Sequence, residues 1–209
     1  MLAAAIALLV ATATPAPADL SRPQLHLRLE VEGAAAVTPD DLDAVAAGVR
    51  RIWAPVLDVL VSGPGSSRGP IAVDTVRVVL TNRTLDDVAH TGLAWIGFVN
   101  GEPQPLITVS VAAVRTLSER GTWHGRPFSA LPPRASVLFL QRALTRALAH
   151  EVGHYLLRSA AHTGRGLMRA VFTVDELMDA RPSIERIDRQ AAERLRQRAL
   201  FARADAEVN

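Results

Sequence analysis

"ALAHEVGHYLLRSAAHTGRGLM", residues 147–168, decides how this 209-residue chain is read. It holds three of the six histidines, His150, His154 and His162, and Glu151 directly follows the first. Upstream, a loop ends at Pro132 and Pro133. From there Leu140, Leu144, Leu148, Val152 and Leu156 recur at every fourth residue. That spacing predicts a helix from Pro133 to about residue 158 with one apolar ridge. His150 and His154 are also four apart and share a face. Two positions beyond Leu148 is about 200° round a helix of 3.6 residues per turn, so that face lies nearly opposite the ridge. The expectation is a helix buried on one side and presenting two imidazoles to a cleft on the other.

This pattern suits metal chemistry. Two imidazole nitrogens one turn apart can share a tetrahedral ion, and neutral histidine suits Zn²⁺. Glu151 lies about 100° round from His150, close to such an ion without pointing straight at it. A carboxylate there can act on water instead of binding the metal. The plainer alternative is a helix with two surface histidines. His162 and Met168, close behind the helix, argue against it.

Composition narrows the classes. There is no cysteine, so disulfides, thiolate metal sites and cysteine nucleophiles are excluded. All 23 basic residues are arginines, and the net charge is only +2. The arginines alternate with acids, as in "SIERIDRQAAERLRQR", which reads as a solvated face, so no nucleic-acid partner is expected. The N-terminal run "MLAAAIALLVA" has the length of a signal h-region and is too short to span a bilayer. Ala16 and Ala18 suit cleavage before Asp19, although no Arg or Lys precedes the run. Residues 1–18 are read as a signal peptide and 19–209 as a single domain. The mature chain is expected in the periplasm, cell envelope or medium, with no stable membrane span.

Other elements are visible more coarsely. "QLHLRLEVE" alternates as a half-buried strand. "TPDDLDAVAAGVRRIW" opens with Thr38 as N-cap, Pro39 at the first helical position and two aspartates in the first turn, so it reads as a helix. "SGPGSSRGP" reads as a loop and "TVRVVLTN" as a strand. "GLAWIGFVNGEPQPLITVSVAAV" reads as two strands about Asn100-Gly101, the second starting late because of Pro103 and Pro105. "RTLSERGTWHGRPFSALPP" reads as a long loop. The order of elements predicts an α/β fold, a mixed sheet with helices packed on it.

With its third histidine and its methionine, "HEVGHYLLRSAAHTGRGLM" resembles the metzincin clan of zinc endopeptidases, most nearly the matrixin-like members. The resemblance implies zinc held by His150, His154 and His162, with Glu151 as general base and acid. It implies Met168 as the apolar floor of a methionine turn, not a ligand. It implies a zincin fold: a twisted mixed sheet with a backing helix and an active-site helix, then a small C-terminal part ending in a helix at "SIERIDRQAAERLRQRAL". An edge strand, "GLAWIGFV" or "LITVSV", would pair with an extended peptide or protein substrate.

The departures are specific. Leu157 stands where the family has glycine, and His162 comes two residues later than the pattern. The reversal after the helix must find its left-handed turn without glycine. Ala170 stands where some members carry a tyrosine after the methionine turn. Without cysteine, a cysteine switch cannot operate, and the segment from Asp19 to the first strand is short for a prodomain. Should His162 be a plain loop residue, Glu176 is the best substitute ligand and Asp175 a weaker one. His124 reads as a loop or rim residue, and His26 and His90 as strand and loop surface. The leading reading is an exported zinc endopeptidase. A zinc hydrolase of another envelope substrate and a non-catalytic zincin-fold binding or scaffold protein remain alternatives.

Overall fold

Helix α1 (Pro39–Trp53) begins where the sequence predicts. Thr38 and Asp41 form a reciprocal capping box, and Pro39 occupies the first turn. Val45, Val49, Ile52 and Trp53 bury one face of it. The computed structural model describes residues 24–32, 37–63, 75–83, 92–195 and 197. The signal-like run 1–18 and His90 lie outside them.

Five strands make the main sheet: β1 (Gln24–Glu32), β2 (Asp58–Ser62), β3 (Thr75–Thr81), β4 (Ala94–Val99) and β5 (Glu102–Ser110). Their order is β2-β1-β3-β5-β4. The first four run parallel, and β4 pairs antiparallel with β5 at the edge. Alternate residues turn inward, so Leu25, Leu27, Val76, Val78, Ile107 and Val109 are almost wholly buried. Against that face pack α1 and α3 (Pro133–Leu157), the helix carrying the motif. The two helices approach closely: a Cβ on Gly48 would stand 2.5 Å from Thr145 Cγ2. This is the mixed α/β architecture expected from the order of elements.

Four details differ from expectation. Residues 115–120 are not loop; they belong to α2 (Val111–Arg120). Ser110 ends β5 and caps α2, its Oγ accepting from Ala113 N at 3.0 Å. Val111 and Val114, three apart and fully buried, form the inner face, and their β-branching disguises the segment as strand. Strand β5 starts at Glu102, ahead of both prolines. Its pairing with β3 begins only at Leu106, so on that side Pro103 and Pro105 have no ladder bond to forfeit. Strand β2 was not anticipated. The C-terminal run is not one helix. A short α5 (Pro182–Glu185) is followed by a break, and residues 189–195 are helical again, with Asp188 Oδ1 accepting from Gln190 N at 2.9 Å.

No helix among the described residues is long and apolar enough to cross a membrane.

Candidate metal centre

Helix α3 does not leave its histidine face open. His150 and His154 are only 8% and 5% exposed, because the chain beyond the helix folds back over them. The reversal that lacked a glycine is made by Arg158, which adopts the left-handed conformation at φ 49°, ψ 46°. Ser159 N donates to His154 O and Arg158 N to Tyr155 O, both at 3.3 Å, the two bonds of a Schellman end. Leu157, at the family's glycine place, is simply the last helical residue. The same turn sets a ligand: His154 Nδ1 donates to Ser159 O at 2.6 Å.

The chain then carries His162 back to the helix and closes a tight loop, with Thr163 N donating to Met168 O at 2.8 Å. His150 Nδ1 donates to Leu167 O at 2.8 Å. Met168, 2% exposed, lies against the helix at its one glycine, since a Cβ on Gly153 would stand 2.2 Å from Met168 Sδ.

His150, His154 and His162 each offer a ring nitrogen, and these atoms lie within 4.8 Å of one another. The two buried rings constrain what fits between them. A carbonyl oxygen can only accept, so both Nδ1 atoms carry the proton and both Nε2 atoms are bare in the neutral rings. Yet the Nε2 atoms face each other at 2.9 Å. Two lone pairs at that distance repel unless a cation lies between them. A proton is a poor candidate: burial pushes His150 down to about 4, despite the opposing Leu167 bond, and burial also lowers His154. Neutral imidazole is the ligating form. Tetrahedral zinc with bonds of 2.0–2.1 Å sets nitrogens about 3.3 Å apart, so the set closes on one ion with small side-chain movement. The residues fit the metal.

Glu151 is 8% exposed, and burial raises its carboxyl to about 7 against the effect of a backbone hydrogen bond at Ile96. A divalent cation beside it would pull that value down. Glu176 is not among the converging groups. It caps α4 (Val174–Met178) from the third position, accepting from Thr173 N at 2.8 Å, and pairs with Arg169. Asp175 Oδ1 accepts from His124 N at 2.9 Å. His124 sits in the turn between two short strands, β6 (Thr122–Trp123) and β7 (Arg126–Pro127), with its side chain exposed. His26 is half-buried on β1, its Nε2 3.0 Å from Ser62 Oγ.

Two aromatic rings flank the triad, and sequence reading does not single them out. Phe98, on edge strand β4 beside an irregular register, stands 6.5 Å from the His154 ring. Phe172 stands 6.4 Å from the His150 ring, with Arg169 over its own face at 5.0 Å.

No family model matches the chain, and no curated protein matches it in sequence. In fold it is similar to the crystal structure of archaemetzincin (amzA) from Methanopyrus kandleri. The two are 17% identical with a TM-score of 0.50, and the match covers 89% of this chain and 99% of that one. The fold is a metzincin-like zincin fold. The likeness does not single out the matrixins within that clan. Its length agreement leaves little of either chain without a counterpart.

Proposed function

We propose that this protein is a zinc-dependent peptidase. One observation carries the reading: two buried imidazoles, each bonded through Nδ1 to a carbonyl, face each other with their Nε2 atoms, His162 joins them, and the buried Glu151 directly follows His150 on the helix. His150, His154 and His162 would hold the ion. Bound zinc supplies Lewis acidity toward a carbonyl oxygen and acidifies an attached water.

The chain's own groups do the remaining work. Glu151 holds or releases a proton at its carboxylate, taking it from water and returning it to the leaving amine. Its burial keeps bulk water from competing for that proton. The carbonyls of Leu167 and Ser159 fix the tautomers of His150 and His154, so both Nε2 atoms stay free to ligate. Among the described residues strand β4 has a neighbouring strand on one side only, and its other edge is suited to pair with an extended peptide. Phe98 and Phe172 give that peptide an apolar wall at each end of the triad.

The proposal includes export: cleavage before Asp19, supported by the composition of residues 1–18, gives a protein acting outside the cytoplasm. Intact mass from the native host tests that part, and a soluble cytoplasmic protein retaining residues 1–18 contradicts it. For the activity, the full chain is digested against a broad peptide library with zinc, after chelation, and after zinc is restored. Cleavage that disappears and returns supports the peptidase. A zinc-loaded protein that cuts no peptide directs the search to another hydrolase substrate.

A further inference from the structure

Four residues before His150, at the same face of α3, stands Arg146. It is 1% exposed, and one of its nitrogens, Nε, has no partner. Burying a guanidinium where an apolar side chain would serve is seldom a gain in stability. What it holds is informative. Its Nη1 donates to Glu176 O, its Nη2 donates to Asp179 O, and Nη2 reaches Glu185 Oε1 at 3.3 Å. One side chain thus grips three points of the C-terminal segment, all well beyond the end of the helix at Leu157. One turn earlier, Arg142 donates to Met178 O.

From Glu185 the connection returns to the metal centre. Arg51 on α1 clamps the same carboxylate with two bonds, 2.5 and 3.1 Å. The next carbonyl, Arg186 O, accepts from Leu167 N at 3.0 Å. It lies so close that a Cβ on Gly166, which has φ 74°, would stand 2.4 Å from it. Leu167 O in turn accepts from His150 Nδ1 at 2.8 Å. The path leaves α3 at Arg146 and re-enters it one turn later at His150, having fixed both polar groups of Leu167. The next residue is Met168, under Gly153.

We propose that the Arg146–Glu185 pair is a positioning device for the metal site. It presses the 185–186 backbone against Gly166 and Leu167, which orients the His150 ring and seats Met168. The inference rests on the metal-site reading above. Arg146 touches neither substrate nor metal; it acts through Glu185 and Leu167.

The test uses the full chain, with zinc and cobalt as probes. Removing Arg146 alone leaves Glu185 with one partner and takes a donor from the Glu176 and Asp179 carbonyls, so that variant can fail to fold. The double variant Arg146→Met/Glu185→Leu replaces the buried pair with apolar groups, and Glu185→Gln weakens the acceptor while keeping its shape. In both, zinc binding is expected to weaken about 10- to 100-fold, the usual effect of a group supporting a ligand. The visible absorption of the cobalt-loaded protein should shift, reporting altered ligand geometry even at saturation. Arg146→Lys should not restore it, since one ammonium cannot span three acceptors. Folded variants with wild-type zinc affinity and cobalt spectrum, whatever their melting temperature, overturn the proposal. If the wild-type chain itself takes up no zinc, the metal-site reading fails and this inference fails with it. Wild-type binding with unaffected variants removes this inference alone.

Discussion

At the residue scale, Glu151, His162 and Glu176 have different tasks, and single substitutions separate them. Glu151→Gln should keep its zinc and lose about 10²–10⁴ in peptide hydrolysis, the usual share of a positioned general base. His162→Ala should lose zinc, because two imidazoles leave the ion under-coordinated. Glu176→Gln should keep both zinc and activity and reduce stability instead. The bond from Arg169, helped by Thr173 N, holds the Glu176 carboxyl down at about 2. A folded-state value below the unfolded one gives stability that is whole above about 4.5 and lost as pH falls through about 2. The Glu176→Gln deficit, about 1 kcal/mol at pH 7, should therefore shrink across that window. Urea titrations of both proteins at several pH values measure it; a deficit constant down to pH 2 removes the assignment. If Glu176→Gln instead loses zinc while His162→Ala keeps it, Glu176 closes the site.

At the scale of the element, the two ends of the motif region depend on backbone constraints. Arg158 holds a left-handed conformation that glycine adopts freely, a penalty of about 1 kcal/mol for a residue with a Cβ. It also pairs with Glu102, Nε to Oε2 at 2.6 Å, but both side chains are half exposed and the pair is of little weight. Arg158→Gly should therefore be more stable than Arg158→Ala by about 1 kcal/mol, since both lose the pair and only alanine keeps the Cβ. Equal denaturation midpoints would contradict the turn assignment. Gly153 works the other way. In an exposed helix, Gly→Ala adds about 1 kcal/mol of stability. Here the new methyl meets Met168 Sδ at 2.2 Å, and overpacking of this kind costs about 1–3 kcal/mol. The clash outweighs the propensity, so Gly153→Ala should lower the melting temperature and weaken zinc binding together. A stabilised variant would show that Met168 does not form the floor.

At the scale of the whole molecule, legibility followed locality. Helix α3, α1 with its cap, and strand β3 are periodic in sequence, and so they are readable from it. The HExxH spacing and the position of His162 are likewise local. The reversal at Arg158 was hidden because the expected signal, glycine, is absent and an arginine takes the strain. Helix α2 was hidden by Val111 and Val114, whose β-branched side chains read as strand. The Arg142–Arg146–His150–His154 ridge was available at its four-residue spacing. Its purpose was not, because most of its acceptors are carbonyls on segments 5 to 36 residues away and carbonyls leave no mark in sequence. The Gly166–Arg186 contact is backbone against backbone and equally silent.

Ligands brought together by the folded helix and its reversal make folding and metal binding linked. Zinc that binds only the folded chain stabilises it by about 2.7 kcal/mol at a hundredfold excess over its dissociation constant. Chelation should lower the melting temperature accordingly, by about 5–10 °C for a domain of this size. The most direct measurement of the central claim is zinc content and zinc affinity of the purified full chain, beside the His150→Ala, His154→Ala and His162→Ala variants. The account predicts about one tightly held zinc per wild-type chain and loss of it in each variant. A folded wild-type chain that carries no zinc and takes none up on titration contradicts it.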